Sequence, residues 1–232
     1  MSRRKYFYLV LTLLMIISFL FFINSNYFLL DKVIIEGNEL LSNEEVIISS
    51  ALDKKENIFR IDLEKTSDNL MSMPQIQGVV LERSLPATIE VFVDERQPLG
   101  VIDEGSEYLL IDKEGWILAE FDHINEVDYP LLEGVEAKPD NNNLELSPDL
   151  EIVLDYLTGL EKKYLVEVKK IEIDSEREVV LYFLDSGRVK FGQPFEVEYK
   201  LEILNLILAE VDISSIDYIN LSYHNNPVLR LK

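Results

Sequence analysis

The sequence has no cysteine, only two histidines, a single tryptophan and nine glycines among 232 residues. Without cysteine the chain folds free of disulfides, and thiolate catalysis and thiolate metal sites are excluded. None of the glycines stand in a G-x-G spacing and no G-x-x-x-x-G-K-[ST] is present, so phosphate cradles are missing as well. A zinc site built on histidine needs three converging protein ligands, whereas His123 and His224 both fall in expected loops. No G-x-S-x-G occurs, and the one Ser-x-x-Lys, Ser2 to Lys5, lies in the N-terminal tail, which argues against a serine hydrolase. Close carboxylate pairs arise by chance among 43 acids, so their default reading is a solvated face. Neither a catalytic site, nor a cofactor site, nor a metal site emerges.

Basic residues are scarce too: 22 Lys and Arg stand against 43 Asp and Glu. Arg3, Arg4 and Lys5 account for three of the former and no acid precedes Asp31, so residues 31–232 carry 19 against 43, a net of −24. Such a surface repels nucleic acid and anionic headgroups, whose capture rests on clustered Lys and Arg. Its plain reading is solubility.

What the sequence does have is an uncharged run over residues 6–30, almost wholly apolar across its first 18 residues, from Tyr6 to Ile23. At helical rise those 18 residues span about 27 Å, close to a hydrocarbon core of about 30 Å. A cleaved signal peptide would have a shorter apolar core and a small-x-small cleavage site, and Ile23-Asn-Ser-Asn-Tyr-Phe28 offers none. The run therefore reads as a retained anchor, with Tyr27 and Phe28 at its far interface. The basic tail of residues 1–5 is held inside by the positive-inside rule, and about 200 residues are placed outside.

Beyond the anchor, Lys32-Val-Ile-Ile-Glu36 reads as a strand ending at the turn dipeptide Gly37-Asn38. Ser42 and Glu45 form a capping box for a helix to about Leu52, and Asp62 caps a second helix that ends before Pro74. Val79 and Leu81, then Ile89, Val91 and Val93, alternate with a period of two. The order is β-α-α-β-β.

The remainder is richer in strands. Residues 108–111 and 116–119 flank Asp112-Lys-Glu-Gly115 as a hairpin, with Trp116 read as packing in the second strand. Residues 136–143 show no periodicity and read as an exposed loop. Ser147-Pro148 opens a helix that places Leu150, Val153, Leu154, Leu157, Leu160 and Tyr164 on one face. Strands follow at 168–173, 179–184 and 189–191, then a helix with Val197, Leu201, Leu204, Leu208 and Val211 on one face. Two strands close the chain at 217–223 and 228–231, with His224-Asn-Asn-Pro227 between them. The fold class is α+β: an N-terminal transmembrane helix, a β-α-α-β-β domain, and a β-rich domain with two covering helices.

A tethered ectodomain without evident chemistry is most simply an interaction module, whose sheet edges offer unpaired backbone groups. The residues carry a resemblance as well. Lys32-Val-Ile-Ile-Glu-Gly-Asn-Glu-Leu-Leu-Ser-Asn-Glu-Glu-Val46 resembles the start of the polypeptide-transport-associated (POTRA) domain of the FtsQ/DivIB cell-division family. Asn57-Ile-Phe-Arg-Ile-Asp62, Leu81-Glu-Arg-Ser-Leu-Pro-Ala-Thr-Ile-Glu-Val91 and Glu95-Arg-Gln-Pro98 continue the likeness. Tyr108-Leu-Leu-Ile-Asp-Lys-Glu-Gly-Trp-Ile-Leu118 and Asp217-Tyr-Ile-Asn-Leu-Ser-Tyr223 resemble the opening and closing strands of that family's β domain.

The resemblance implies a tail at 1–5, an anchor at 6–30, a POTRA domain at 31–97 and a β domain at 98–232. It implies a non-enzymatic scaffold of the division septum, in the plasma membrane, without cofactor. Its partners would be FtsL-type and FtsB/DivIC-type bitopic proteins and, through them, the septal peptidoglycan synthase complex. By position the FtsB-type strand would be taken up at Tyr218, Ile219, Asn220, Leu221, Ser222 and Tyr223, with Val228, Leu229 and Arg230. Gly78, Leu81 and Arg83 are weaker candidates for recruitment to the septum. Asn220 and Ser222 stand where the family often has Asp and Arg. The nearest alternative is a generic membrane-tethered extracytoplasmic adaptor outside division, which gene neighbourhood would separate.

Overall fold

The computed structural model describes residues 3–105, 107–124, 128–223 and 226–232. Ser2 of the basic tail, and His224 and Asn225 of the turn expected between the closing strands, lie outside the described residues. The chain divides into two units, Met1–Glu95 and Arg96–Lys232.

The first unit opens with α1, Arg3–Ile23, exposed along its length and, by length and composition, apolar enough to cross a membrane. A 3-10 turn, Asn26–Phe28, leads into β1 (Lys32–Glu36), α2 (Asn43–Ser50), α3 (Leu63–Met71), β2 (Ile76–Ser84) and β3 (Thr88–Glu95). The sheet order is β1-β3-β2; β1 runs parallel to β3 and β2 antiparallel to it. The capping box forms as the spacing predicts: Glu45 N–H donates to Ser42 Oγ at 3.3 Å, and Ser42 N–H to Glu45 Oε2 at 2.8 Å. That backbone hydrogen bond holds the exposed Glu45 carboxyl below its ordinary pKa. Asp62 caps α3 through the N–H groups of Glu64 and Lys65.

The alternation in β3 buries Ile89, Val91 and Val93 against Leu70, Val46 and Ile58. Phe28 and Leu30, read from sequence as the outer end of the uncharged run, are buried in this same core. An uncharged stretch does not say whether lipid or protein will cover it.

The carboxylate of Glu95, 4% exposed, accepts three backbone hydrogen bonds, from Glu39 at 2.8 Å, Leu40 at 2.6 Å and Leu41 at 2.9 Å. It closes the turn between β1 and α2. Just before it, Gly37 has φ +89°, and a Cβ there would lie 2.1 Å from the Val93 carbonyl oxygen.

In the second unit the strands are β4 (Gly100–Asp103), β5 (Tyr108–Ile111), β6 (Ile117–Phe121), β7 (Leu131–Glu133), β8 (Ala137–Asp140) and β9 (Asn143–Leu146). Helices α4 (Pro148–Thr158) and α5 (Lys162–Leu165) precede β10 (Val168–Ile173), β11 (Val179–Phe183) and β12 (Arg188–Gly192). Then come α6 (Val197–Glu210), β13 (Ile216–Asn220) and β14 (Val228–Leu231). Among the described residues nine of these strands form one sheet, ordered β14-β13-β12-β11-β10-β7-β4-β5-β6. The core joins Ile171, Leu181, Val189 and Ile219 of the sheet with Leu150, Leu154 and Leu157 of α4 and Leu201, Leu204 and Leu208 of α6.

Several expectations are corrected. Residues 136–143, expected to be a loop, contain β8 and the start of β9, paired from Ala137↔Leu146 to Asp140↔Asn143. Asn141 takes φ +56° at the turn. Of these two strands only Leu144 is buried, so no alternation announces them. Leu160 and Tyr164, assigned to the face of the first covering helix, fall past its end at Gly159, Tyr164 in the separate α5. Trp116 is half-buried ahead of β6, paired with Asn143, and lies beneath the Arg96 guanidinium at 4.5 Å rather than inside a strand. Arg96 also bridges Asp112 at 2.9 Å and Glu114 at 2.7 Å. β4 and β7, four and three residues long, were too short to carry a period.

Candidate functional site

The closing strands are built outward from β12. Val197, Leu201, Leu204 and Leu208 turn α6 onto the core, so that it carries the chain across from β12 to a parallel β13. Lys200 lies on that buried face, 2% exposed, and donates to the carbonyls of Phe191 at 2.9 Å and Gln193 at 2.7 Å. Its ammonium also lies 4.2 Å from the centre of the Phe195 ring. Lys200 thus pins the end of β12 beside the closing hairpin. Sequence reading missed it, although four residues before Leu204 is a core-facing position.

Burial lowers the Lys200 pKa below that of a free lysine, with Glu196 opposing the shift. A depressed folded pKa means that the unfolded chain binds more protons between the two values, so stability rises with pH there. The urea midpoint of the wild-type protein is therefore expected to gain on that of Lys200→Met as pH climbs toward about 10.5. Parallel pH profiles for the two proteins would contradict this.

β13 lies second from the edge. Its register is Val189↔Ile219 with β12 on one side and Ile219↔Leu229 with β14 on the other. Tyr218, Ile219 and Asn220 therefore have neighbours on both sides and offer no free ladder. The strand ends at Asn220 instead of the expected Tyr223. The Asn220 side chain accepts the Ser222 N–H at 2.9 Å, and Leu221, buried, donates its N–H to the Lys190 carbonyl at 2.8 Å. Ser222 then packs against Gly192, where φ is +68° and a Cβ would lie 2.9 Å from Ser222 Cβ. The Ser222 N–H is thus taken up locally, although Ser222 is among the residues that the resemblance gives to the partner strand. Tyr223 is 71% exposed.

The outer strand is β14, and all of its residues are exposed. Lys232 N–H donates inward to the Ser215 carbonyl at 2.9 Å. Since N–H directions alternate along an antiparallel strand, the N–H groups of Leu229 and Leu231 turn to the open side. Cross-strand partners share a face, so Leu229 and Leu231 continue the row of buried Ile219 and Ile216 opposite them. The other face carries Arg230, ion-paired to Asp217, with its guanidinium 4.9 Å from the Tyr218 ring centre. The arrangement can accept one further strand whose apolar residues lengthen the Ile216–Ile219 row. Leu231 belongs to this surface and was absent from the residues singled out by sequence.

The weaker candidates on β2 do not form one surface. Leu81 packs toward the core. Arg83 spends its guanidinium on the carbonyls of Ile58, at 2.9 Å, and Ile61. Gly78 lies opposite Asp94 on the outer face. A depression along β7 and β10 is lined by Tyr129, Leu131, Glu133, Val166, Lys170 and Leu184. Lys170 lies 2.7 Å from Glu133 and 2.8 Å from Glu172, which raise its pKa, and beside the depression Tyr182 donates to Glu172 at 2.7 Å.

Compared with known families, residues 28–96 match the POTRA domain, FtsQ-type, and residues 100–222 match Cell division protein FtsQ/DivIB, C-terminal. Cell division protein DivIB of Clostridium acetobutylicum is 30% identical over 210 residues, covering 89% of this chain and 84% of that protein. Cell division protein DivIB of Clostridium tetani is 24% identical over 214 residues, covering 89% and 80%. Cell division protein FtsQ of Syntrophotalea carbinolica is 26% identical over 214 residues, covering 89% and 75%.

Proposed function

Because the chain belongs to the FtsQ/DivIB family of cell division proteins, we propose that it is a non-enzymatic, membrane-anchored scaffold of the division septum. In this reading α1 crosses the plasma membrane with residues 1–5 inside. The POTRA domain (31–97) and β domain (98–232) lie outside, and β14 takes up a strand from an FtsB/DivIC-type partner. The FtsL-type protein joins through that partner, and the assembly recruits and regulates the septal peptidoglycan synthase.

The observation that carries the reading is the open edge of β14, with two outward N–H groups and an apolar row left unfinished. Backbone pairing at such an edge gives affinity, and alternate side chains give specificity. Val228, Leu229, Arg230 and Leu231 are the contact strand; Tyr223 flanks it. Tyr218, Ile219, Asn220, Leu221 and Ser222 act as its support. Gly78, Leu81 and Arg83 retain at most a secondary role on the POTRA edge.

Co-expression of the full chain with FtsL-type and FtsB/DivIC-type partners tests the reading. The three are expected to co-purify from detergent-solubilised membranes, and external protease is expected to reach residues 31–232 in spheroplasts. Failure to co-purify would contradict the scaffold reading, and protection of those residues would contradict the orientation.

A further inference from the structure

The chain leaving α1 is clamped to the segment between α2 and α3. Leu30 N–H donates to the Glu56 carbonyl at 2.9 Å, and Ile58 N–H donates to the Phe28 carbonyl at 2.8 Å. Asn57, 8% exposed, donates from Nδ2 to the Ile23 carbonyl at 2.8 Å and accepts the Phe59 N–H at 3.0 Å. The Ile23 carbonyl belongs to the last turn of α1, where intrahelical donors run out. Arg60 reaches the side chain of Asn24, and the rings of Phe22, Phe28 and Phe59 follow one another at 5.1 Å centre to centre. The helix is thus joined to the β-α-α-β-β domain by side-chain and backbone contacts, not by a free linker.

Its length then fixes what that segment meets. The 18 apolar residues of α1, Tyr6 to Ile23, rise about 27 Å, close to a hydrocarbon core of about 30 Å. If Lys5 marks one boundary, Ile23 marks the other. Asn24, Tyr27 and the segment clamped to Ile23 then fall at headgroup depth. Tyr27 is 62% exposed there and Phe59 43%. Residues 53–60 carry Lys54, Lys55 and Arg60 against Asp53 and Glu56, a local excess of positive charge within a strongly acidic ectodomain.

We propose that Tyr27 and residues 53–60 form a membrane-interface surface whose partner is an anionic lipid bilayer. The Tyr27 and Phe59 rings lie among the headgroups, as aromatic belts do. Lys54, Lys55 and Arg60 face lipid phosphates. The first unit is thereby held at a fixed height and tilt on the membrane. This rests on the reading of α1 as a membrane span.

The cysteine-free sequence makes single labelled cysteines clean probes. Full-length Phe59→Cys, Tyr27→Cys, Ile16→Cys and Glu202→Cys are each labelled with an environment-sensitive fluorophore. They are reconstituted into vesicles of phosphatidylcholine with or without phosphatidylglycerol. Labels at 59 and 27 are expected to be quenched by lipid bearing a nitroxide near its headgroup and shielded from aqueous acrylamide, a neutral quencher that an anionic surface does not exclude. The label at 202 is expected to show the reverse, and shielding at 59 is expected to increase with phosphatidylglycerol. Lys54→Glu combined with Lys55→Glu is expected to remove that increase.

Acrylamide quenching at both 27 and 59 equal to that at 202, with 16 still quenched from within the bilayer, overturns the interface and leaves the span intact. A label at 16 open to acrylamide as fully as that at 202 overturns the span and the interface with it. Equal shielding in the two vesicle types overturns the assignment of anionic lipid.

Discussion

Replacing Leu229 by proline is expected to weaken binding of the proposed FtsB/DivIC-type partner by about ten- to a hundredfold. Ending the chain after Asn226 is expected to abolish binding. The two changes act on one element at different depths. Leu229 N–H turns away from β13, so proline there removes a donor for the incoming strand without taking a bond from the existing ladder. Losing that bond and part of the Leu229 contact costs about 1–3 kcal/mol, which corresponds to the stated range. Arg230→Pro is the informative companion, since its N–H turns inward; it is expected to loosen β14 itself. Truncation removes the whole template and exposes β13, whose Ile219 and Ile216 rows then lose their cover. Titration of the soluble partner against full-length protein in detergent measures all three. Unchanged affinity after truncation would move the partner site off the second unit's edge.

Glu95→Ala is expected to destabilise the first unit strongly, by about 3–4 kcal/mol. Three backbone N–H groups, those of Glu39, Leu40 and Leu41, converge on its carboxylate. Each donor left buried without a partner costs about 1–3 kcal/mol, reduced where the turn can open to water. Glu95→Gln keeps one acceptor oxygen and is expected to lose about half as much. Hydrogen exchange on the full-length protein reads this directly: the amides of residues 39–41 should exchange far faster in Glu95→Ala. Exchange unchanged from wild type would show that the turn is held by something else.

What was legible in the sequence was what is local. Ser42 and Glu45 announce α2, Asp62 announces α3, and Ile89, Val91 and Val93 announce β3, because a cap or a period of two is complete within a few residues. Ser147-Pro148 announced the start of α4 but not its end at Gly159. The β8–β9 hairpin escaped because its only buried residue is Leu144 and one of its positions is a proline. Phe28 and Leu30 escaped because burial in protein and burial in lipid select the same side chains.

At the candidate site the closing hairpin was visible as alternation, but the order of its strands was not. Which of β13 and β14 lies outermost depends on β13 pairing with β12 across the whole of α6, a non-local choice. That choice separates the nine residues singled out by resemblance between the outermost strand, β14, and the chain around β13 that it pairs with. Lys200 was hidden for a related reason: a lysine on an apolar helix face earns its place only through the Phe191 and Gln193 carbonyls, which come from another element.

Amide hydrogen exchange of the full-length protein, with and without a saturating FtsB/DivIC-type partner, puts the central claim to its most direct test. The Leu229 and Leu231 amides, open in the free protein, are expected to become protected when the partner is bound, while those of Tyr218 and Ile219 are already slow. Protection that appears on β2 between Gly78 and Arg83 while β14 continues to exchange freely would contradict it.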